Sequence, residues 1–151
     1  MPLFYLETSA LVKLYILESG TDALLRIAND PALNRMTVFV LAPVEVHSAV
    51  RRRERAGDLD PKVAALLLDQ MSGHLRSRFI VQPLIASVLD KSLELIDRYA
   101  LRAYDAIQLA GCLVLRSSLG SEPVTFVCSD LQLLDAARQE QLPILDPSAS
   151  P

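Results

Sequence analysis

The sequence predicts an α/β domain, a central and mostly parallel sheet of about five strands with helices on both faces. Two observations carry that expectation. Short apolar runs alternate with longer stretches of helical periodicity, the pattern of repeated βα units. Within the runs the apolar residues are continuous rather than alternating with polar ones, which marks strands covered on both faces. With 151 residues, 51% of them hydrophobic and 22% charged, the chain is long enough for one domain with a full core.

The first strand is Leu3 to Leu6, followed by a helix from Thr8 to Glu18 that Gly20 stops. Thr21 opens the next helix, with Asp22 in its first turn, and it runs to Ala28. Thr37 to Leu41 reads as the second strand, and Ala42 to Arg55 as a helix with Pro43 near its start and Gly57 just past its end. Asp60-Pro61 starts another helix, with Val63, Leu66, Leu67 and Gln70 on one face. Phe79 to Val81 is the third strand, Ser87 to Tyr99 and Ala103 to Arg116 the next helices. Val124 to Cys128, a helix over Leu131 to Gln139, and Ile144-Leu145 complete the set. Two consecutive helices between the third and fourth strands leave room for the winding direction to change, and such a switch point is where open sheets bind ligands. Residues 1–146 read as the domain and 147–151 as a loose tail.

Fifteen basic against eighteen acidic side chains give a net charge of −3, without the basic excess usual in nucleic-acid binders, although clustered acids would mask a basic rim. Cys112 and Cys128 lie in apolar runs and read as buried thiols of a reducing compartment. The first apolar run is broken by Glu7 and Lys13, so it is no signal peptide, and no stretch of eighteen apolar residues exists. The expectation is a soluble, cytoplasmic protein. Glycine-rich phosphate loops are absent, which disfavours the nucleotide-binding classes.

Four acids stand where a parallel sheet places its ligands. Glu7 follows the first strand directly, and Asp130 follows the fourth. Glu45 and Asp105 begin helices in apolar company. Each alone is explained as a helix cap or first-turn acid. Together they imply converging carboxylates, whose repulsion and burial a hard divalent cation such as Mg²⁺ or Mn²⁺ relieves. A cation held there can activate water and offset charge growing on a phosphodiester.

The segment Tyr5-Leu6-Glu7-Thr8-Ser9-Ala10-Leu11-Val12-Lys13-Leu14-Tyr15 resembles the YLDTSALVKLY opening of PIN-domain toxins of the VapC type. Val44 to Val50, Ala103-Tyr104-Asp105-Ala106-Ile107-Gln108-Leu109-Ala110 and Ser129 to Ala137 are similar to the family's later blocks, in the family's order and over nearly the whole chain. The resemblance implies a three-layer α/β/α PIN-like domain and a metal-dependent endoribonuclease, the toxin of a toxin–antitoxin pair. Carried over by position, Glu7, Glu45, Asp105 and Asp130 would be the catalytic, Mg²⁺- or Mn²⁺-holding acids. Ser9 would orient the first carboxylate, with Ser129 in a similar supporting place. A homodimer and a small antitoxin protein are the partners implied.

One position departs from the family, which has Asp where this chain has Glu7. The extra methylene displaces the carboxylate by about 1.5 Å, and Mg²⁺ tolerates misplacement poorly. Weakened activity is the expectation, and a PIN domain that binds RNA or protein without cutting is the alternative.

RNA needs positive charge near the acids. Arg52 lies seven residues beyond Glu45, two turns along the same helix face, and is the residue expected to reach phosphate. Lys13 and Arg102 lie near Glu7 and Asp105 in sequence, while a solvated helix face paired with Glu54 explains the arginine run equally well. The apolar helices over Leu11 to Leu17 and Leu66 to Met71 offer either a partner surface or core. Phosphoacceptor proteins also carry acids at strand ends, but Glu7-Thr8-Ser9 lacks the Asp-x-Asp of the phosphatases, and Ile144-Leu145-Asp146-Pro147 lacks a receiver's lysine.

Overall fold

The structure is a computed structural model, and it describes residues 1–149. Five strands, β1 (Leu3–Leu6), β2 (Arg35–Phe39), β3 (Phe79–Gln82), β4 (Val124–Val127) and β5 (Ile144–Leu145), form one parallel sheet in the order β3-β2-β1-β4-β5. The helices are α1 (Thr8–Leu11), α2 (Thr21–Ala28), α3 (Ala42–Arg55), α4 (Pro61–Ser77), α5 (Ala86–Arg98), α6 (Ala103–Ser118) and α7 (Leu131–Gln139). Right-handed crossovers put α1 to α4 on one face and, after the reversal at β1, α5 to α7 on the other. The result is the three-layer α/β/α arrangement expected from the sequence.

The core follows the same plan. Tyr5, Phe39 and Phe126 are its largest fully buried side chains, and the Tyr5 and Phe126 rings stack at 5.9 Å between centroids. Helix α6 lies directly against the sheet, and Gly111 is what lets it approach. A Cβ there would stand 2.5 Å from the Tyr5 hydroxyl and 3.1 Å from the Phe39 ring. Both cysteines are free and buried. Among the described residues no helix is long and apolar enough to cross a membrane.

Several expectations require correction. The first helix ends at Leu11 and tightens into a 3-10 turn over Val12–Leu14 instead of running to Glu18. The tightening turns Lys13 inward to an ion pair with Glu18 at 2.9 Å, and Tyr15 to a hydrogen bond with His74. Strand β2 begins two residues earlier than predicted, because Arg35 pairs in register with Leu3 and bonds to the Pro2 carbonyl. Strand β3 is not covered on both faces: it is an edge strand, and Ile80 and Val81 are exposed.

Within the expected tail, Pro147 and Ser148 make contacts with the domain. Pro147 is buried, and its carbonyl group would lie 2.7 Å from any Cβ at Gly20, whose φ is +95°. The Ser148 hydroxyl donates to the Ser19 carbonyl and meets the Ser129 hydroxyl at 3.2 Å. A glycine turn thus gives the tail backbone a seat; residues 150–151 of the expected tail lie outside the described residues.

Two outcomes follow from this packing. Gly111→Ala is expected to cost about 1–3 kcal/mol by overpacking, a fall of roughly 2–4 °C in Tm per kcal/mol at this size. Much of that loss returns in the Gly111→Ala, Tyr5→Phe double variant, whose missing hydroxyl makes room; thermal unfolding of the three variants checks it. His74 is the second case. Its Nδ1 shares a hydrogen bond with the Tyr15 hydroxyl at 2.9 Å, and its ring meets Phe79 edge-on. Burial, and then the Arg78 charge beside it, push its pKa below 6.5. A depressed histidine stabilises the fold above its unfolded pKa and loses that contribution as pH falls through the folded value. Stability should therefore drop below about pH 6.5, and His74→Phe should flatten that drop in a pH series of denaturant melts.

Candidate active site

The winding direction reverses at β1, so the crevice between the carboxyl ends of β1 and β4 is where a ligand is expected. Glu7 stands at its centre. Its N–H continues the ladder to the Val127 carbonyl at 3.0 Å, and its extended backbone makes it the N-cap of α1. Oε2 accepts from the Ser9 N–H at 2.9 Å and from the Ser9 hydroxyl at 2.5 Å. The side chain is only 5% exposed. Burial pushes the carboxyl pKa up, as does Asp105, while Ser9 and the neighbouring Cys128 thiol pull it down. The balance is upward.

Ser9 does more than orient Glu7. Its hydroxyl also accepts the Ser129 N–H at 2.9 Å and so joins the turn after β1 to the turn after β4. Ser129 supports the site through its main chain, since its hydroxyl faces the tail at Ser148. Cys128 lines the same turn, where its sulfur accepts the Asp130 N–H at 3.3 Å. Asp130 caps α7 through Oδ1, which accepts the Leu133 N–H at 2.9 Å, and it is exposed.

Asp105 lies in the first turn of α6, half-buried. Its carboxyl pKa is raised first by burial and then by Asp130, against the pull of Arg102. Glu45 lies in the first turn of α3, half-buried as well. Its charge and that of Glu7 both reach the Tyr104 phenol, whose pKa burial and these acids push up to about 12. Asp105 thus shares a field with Glu7 and Asp130, and Tyr104 with Glu7 and Glu45.

The acids are loosely gathered. Among the described residues no three His, Cys, Asp or Glu side chains stand close enough to hold a metal ion as they are. The capping role foreseen for single acids is real for Glu7 and Asp130, whose oxygens are partly engaged by N–H groups. The donor chemistry nevertheless suits a hard divalent cation: all-oxygen ligands, with carboxyls that disfavour each other's charge. Such a cation would remove the repulsion.

The basic residues divide. Lys13 is buried and paired with Glu18, which also takes Arg53 at 3.1 Å, while Arg51 pairs with Glu54. These three are structural. Arg52 is exposed and forms no ion pair among the described residues. Arg102 is the cation whose charge acts on Asp105.

Sequence reasoning missed a polar group behind the acids. Gln108 is fully buried; its Nε2 donates to the Thr8 hydroxyl at 2.8 Å and lies 3.4 Å from the Tyr104 hydroxyl. Its Oε1 is buried without a partner among the described residues, a condition that costs about 1–3 kcal/mol. The available signal was an amide set in the apolar stretch Ile107-Gln108-Leu109-Ala110.

No family model matches the sequence, and no curated protein does. Solved structures match over most of the chain. PAE2754 from Pyrobaculum aerophilum is 22% identical, with a TM-score of 0.61 over 89% of this chain and 84% of that one. FitAcB from Neisseria gonorrhoeae is 15% identical, TM-score 0.63, over 95% and 97%. VapBC2 from Rickettsia felis, solved bound to a DNA fragment from their promoter, is 12% identical, TM-score 0.62, over 95% and 97%. Strand order, helix layers and these likenesses agree, and the chain has the three-layer α/β/α fold of these solved structures.

Proposed function

We propose that this chain is a metal-dependent endoribonuclease and the toxin of a toxin–antitoxin pair, working in the cytoplasm. The observation that carries the reading is the shared field of Glu7, Asp105 and Asp130 at the switch point of the sheet, where three elements distant in sequence bring their acids. Glu45, whose charge acts on Tyr104, would complete the set. In this reading Glu7, Glu45, Asp105 and Asp130 hold Mg²⁺ or Mn²⁺, which when bound lowers the pKa of water and offsets charge on the phosphodiester.

The protein's own residues perform the positioning. Ser9 holds the Glu7 carboxylate and, through the Ser129 N–H, keeps the β1 and β4 turns at a fixed separation. Tyr104 keeps its proton at any physiological pH and can donate to a phosphate oxygen. Arg102 and Arg52 supply positive charge for the RNA backbone. Partners follow from the same reading. The VapBC and FitAcB likenesses support a small antitoxin. Leu89 and Leu93, exposed one turn apart on α5, suit a second copy of the chain.

Glu7 and the loose spacing of the acids among the described residues favour a second reading, a PIN-type module that binds RNA or protein without cutting it. Cleavage of a single-stranded RNA under saturating Mn²⁺ decides between them. Glu7→Ala should lower the rate by at least about 10²-fold, and Glu7→Asp should keep or raise it, since the shorter acid is the one the resemblance implies. Equal rates for wild type and Glu7→Ala remove Glu7 from the chemistry. Mn²⁺ uptake without cleavage supports the binding module.

A further inference from the structure

We propose that Gln108 is a positioning residue: through Thr8 it clamps the acid-bearing end of α6 to the turn that carries Glu7. The inference rests on the nuclease reading. Gln108 lies one turn beyond Asp105 and four residues beyond Tyr104 on the same helix, so whatever fixes it fixes both. It meets β1 and its turn at two points. The Tyr5 hydroxyl donates to the Gln108 carbonyl at 2.9 Å, and the Gln108 amide donates to the Thr8 hydroxyl at 2.8 Å. Tyr5 and Thr8 flank Glu7 in the chain. Turning the amide over exchanges the roles, with the Thr8 and Tyr104 hydroxyls donating to oxygen, and leaves the bridge in place.

Core packing does not account for this residue. A methionine would fill the same volume with no polar atom to satisfy, whereas the amide keeps one oxygen buried and unpartnered. What the amide does supply is a link between the helix of Asp105 and the turn of Glu7, elements one hundred residues apart in sequence. The bond acts on the carboxylates through the elements that carry them, one step further out than an outer-shell partner, whose loss typically costs 10–100-fold in metal affinity or activity.

The test compares wild type, Gln108→Met, Thr8→Val and Thr8→Ser in the full chain, by thermal unfolding without metal and by calorimetric titration with Mn²⁺. Gln108→Met is expected to melt no lower than wild type and to bind Mn²⁺ about 10–100-fold more weakly. Thr8→Val should weaken binding likewise, while Thr8→Ser, which keeps the hydroxyl, should not. Unchanged Mn²⁺ affinity in Gln108→Met, or equal behaviour of the two Thr8 variants, overturns the clamp and leaves the nuclease reading standing. A wild-type chain that takes up no Mn²⁺ overturns the metal reading and the clamp together. Should Gln108→Met fail to fold, the Thr8 pair decides alone.

Discussion

The contact of the Tyr5 side chain of β1 with α6 is the constraint from which the rest of the structure takes its dimensions. The helix carries no side chain at Gly111, and the Tyr5 hydroxyl occupies the space a Cβ would need. The same hydroxyl bonds to the carbonyl of Gln108, one turn earlier. A close-packed interior transmits such a contact rather than absorbing it. The height of α6 on the sheet is thereby set, and with it the place of Asp105 relative to Glu7. An acid on a loosely packed helix would drift away from a neighbour of like charge; this one is held.

The acids show how a capping role and a site role coexist. Glu7 and Asp130 satisfy N–H groups at the starts of α1 and α7, as isolated carboxylates in those positions would. Capping alone, however, gives no reason for Glu7 to be buried, nor for Asp105 to stand in the fields of two other acids. Burial raises the free energy of a charged carboxylate, and a second carboxylate raises it again. A fold that retains both has placed unfavourable charge at the ligand-binding end of its sheet. In the proposed reading, a divalent cation and a phosphate backbone are the ligands that would turn that arrangement to advantage.

Much of the architecture was legible because it rests on local patterns. The bounds of α2, α3 and α7 follow from Thr21, Pro43 and Asp130 at their starts, and the strand runs around Leu3 and Val124 are too short and too apolar for anything else. The failures share one cause. The shortened first helix, the early start of β2, the bare face of β3 and the seated tail depend on Lys13 finding Glu18, Arg35 pairing beside Leu3, the strand order, and Gly20 receiving Pro147. Each is a contact between segments whose spacing in the chain says nothing about their distance in space.

By itself the sequence determined which segments become strand or helix and which acids follow strands, since those depend on a residue and its neighbours within a turn or two. It also carried the resemblance that named the fold. Only the tertiary structure decided which acids share a field, that Ser9 links two turns, that Lys13 is spent on an internal ion pair, and that a buried amide stands behind Glu7. The reason is physical. Electrostatic fields and hydrogen bonds act through space rather than along the chain, and Asp105 enters the fields of Glu7 and Asp130 only when burial of Tyr5, Phe39 and Phe126 brings their elements together.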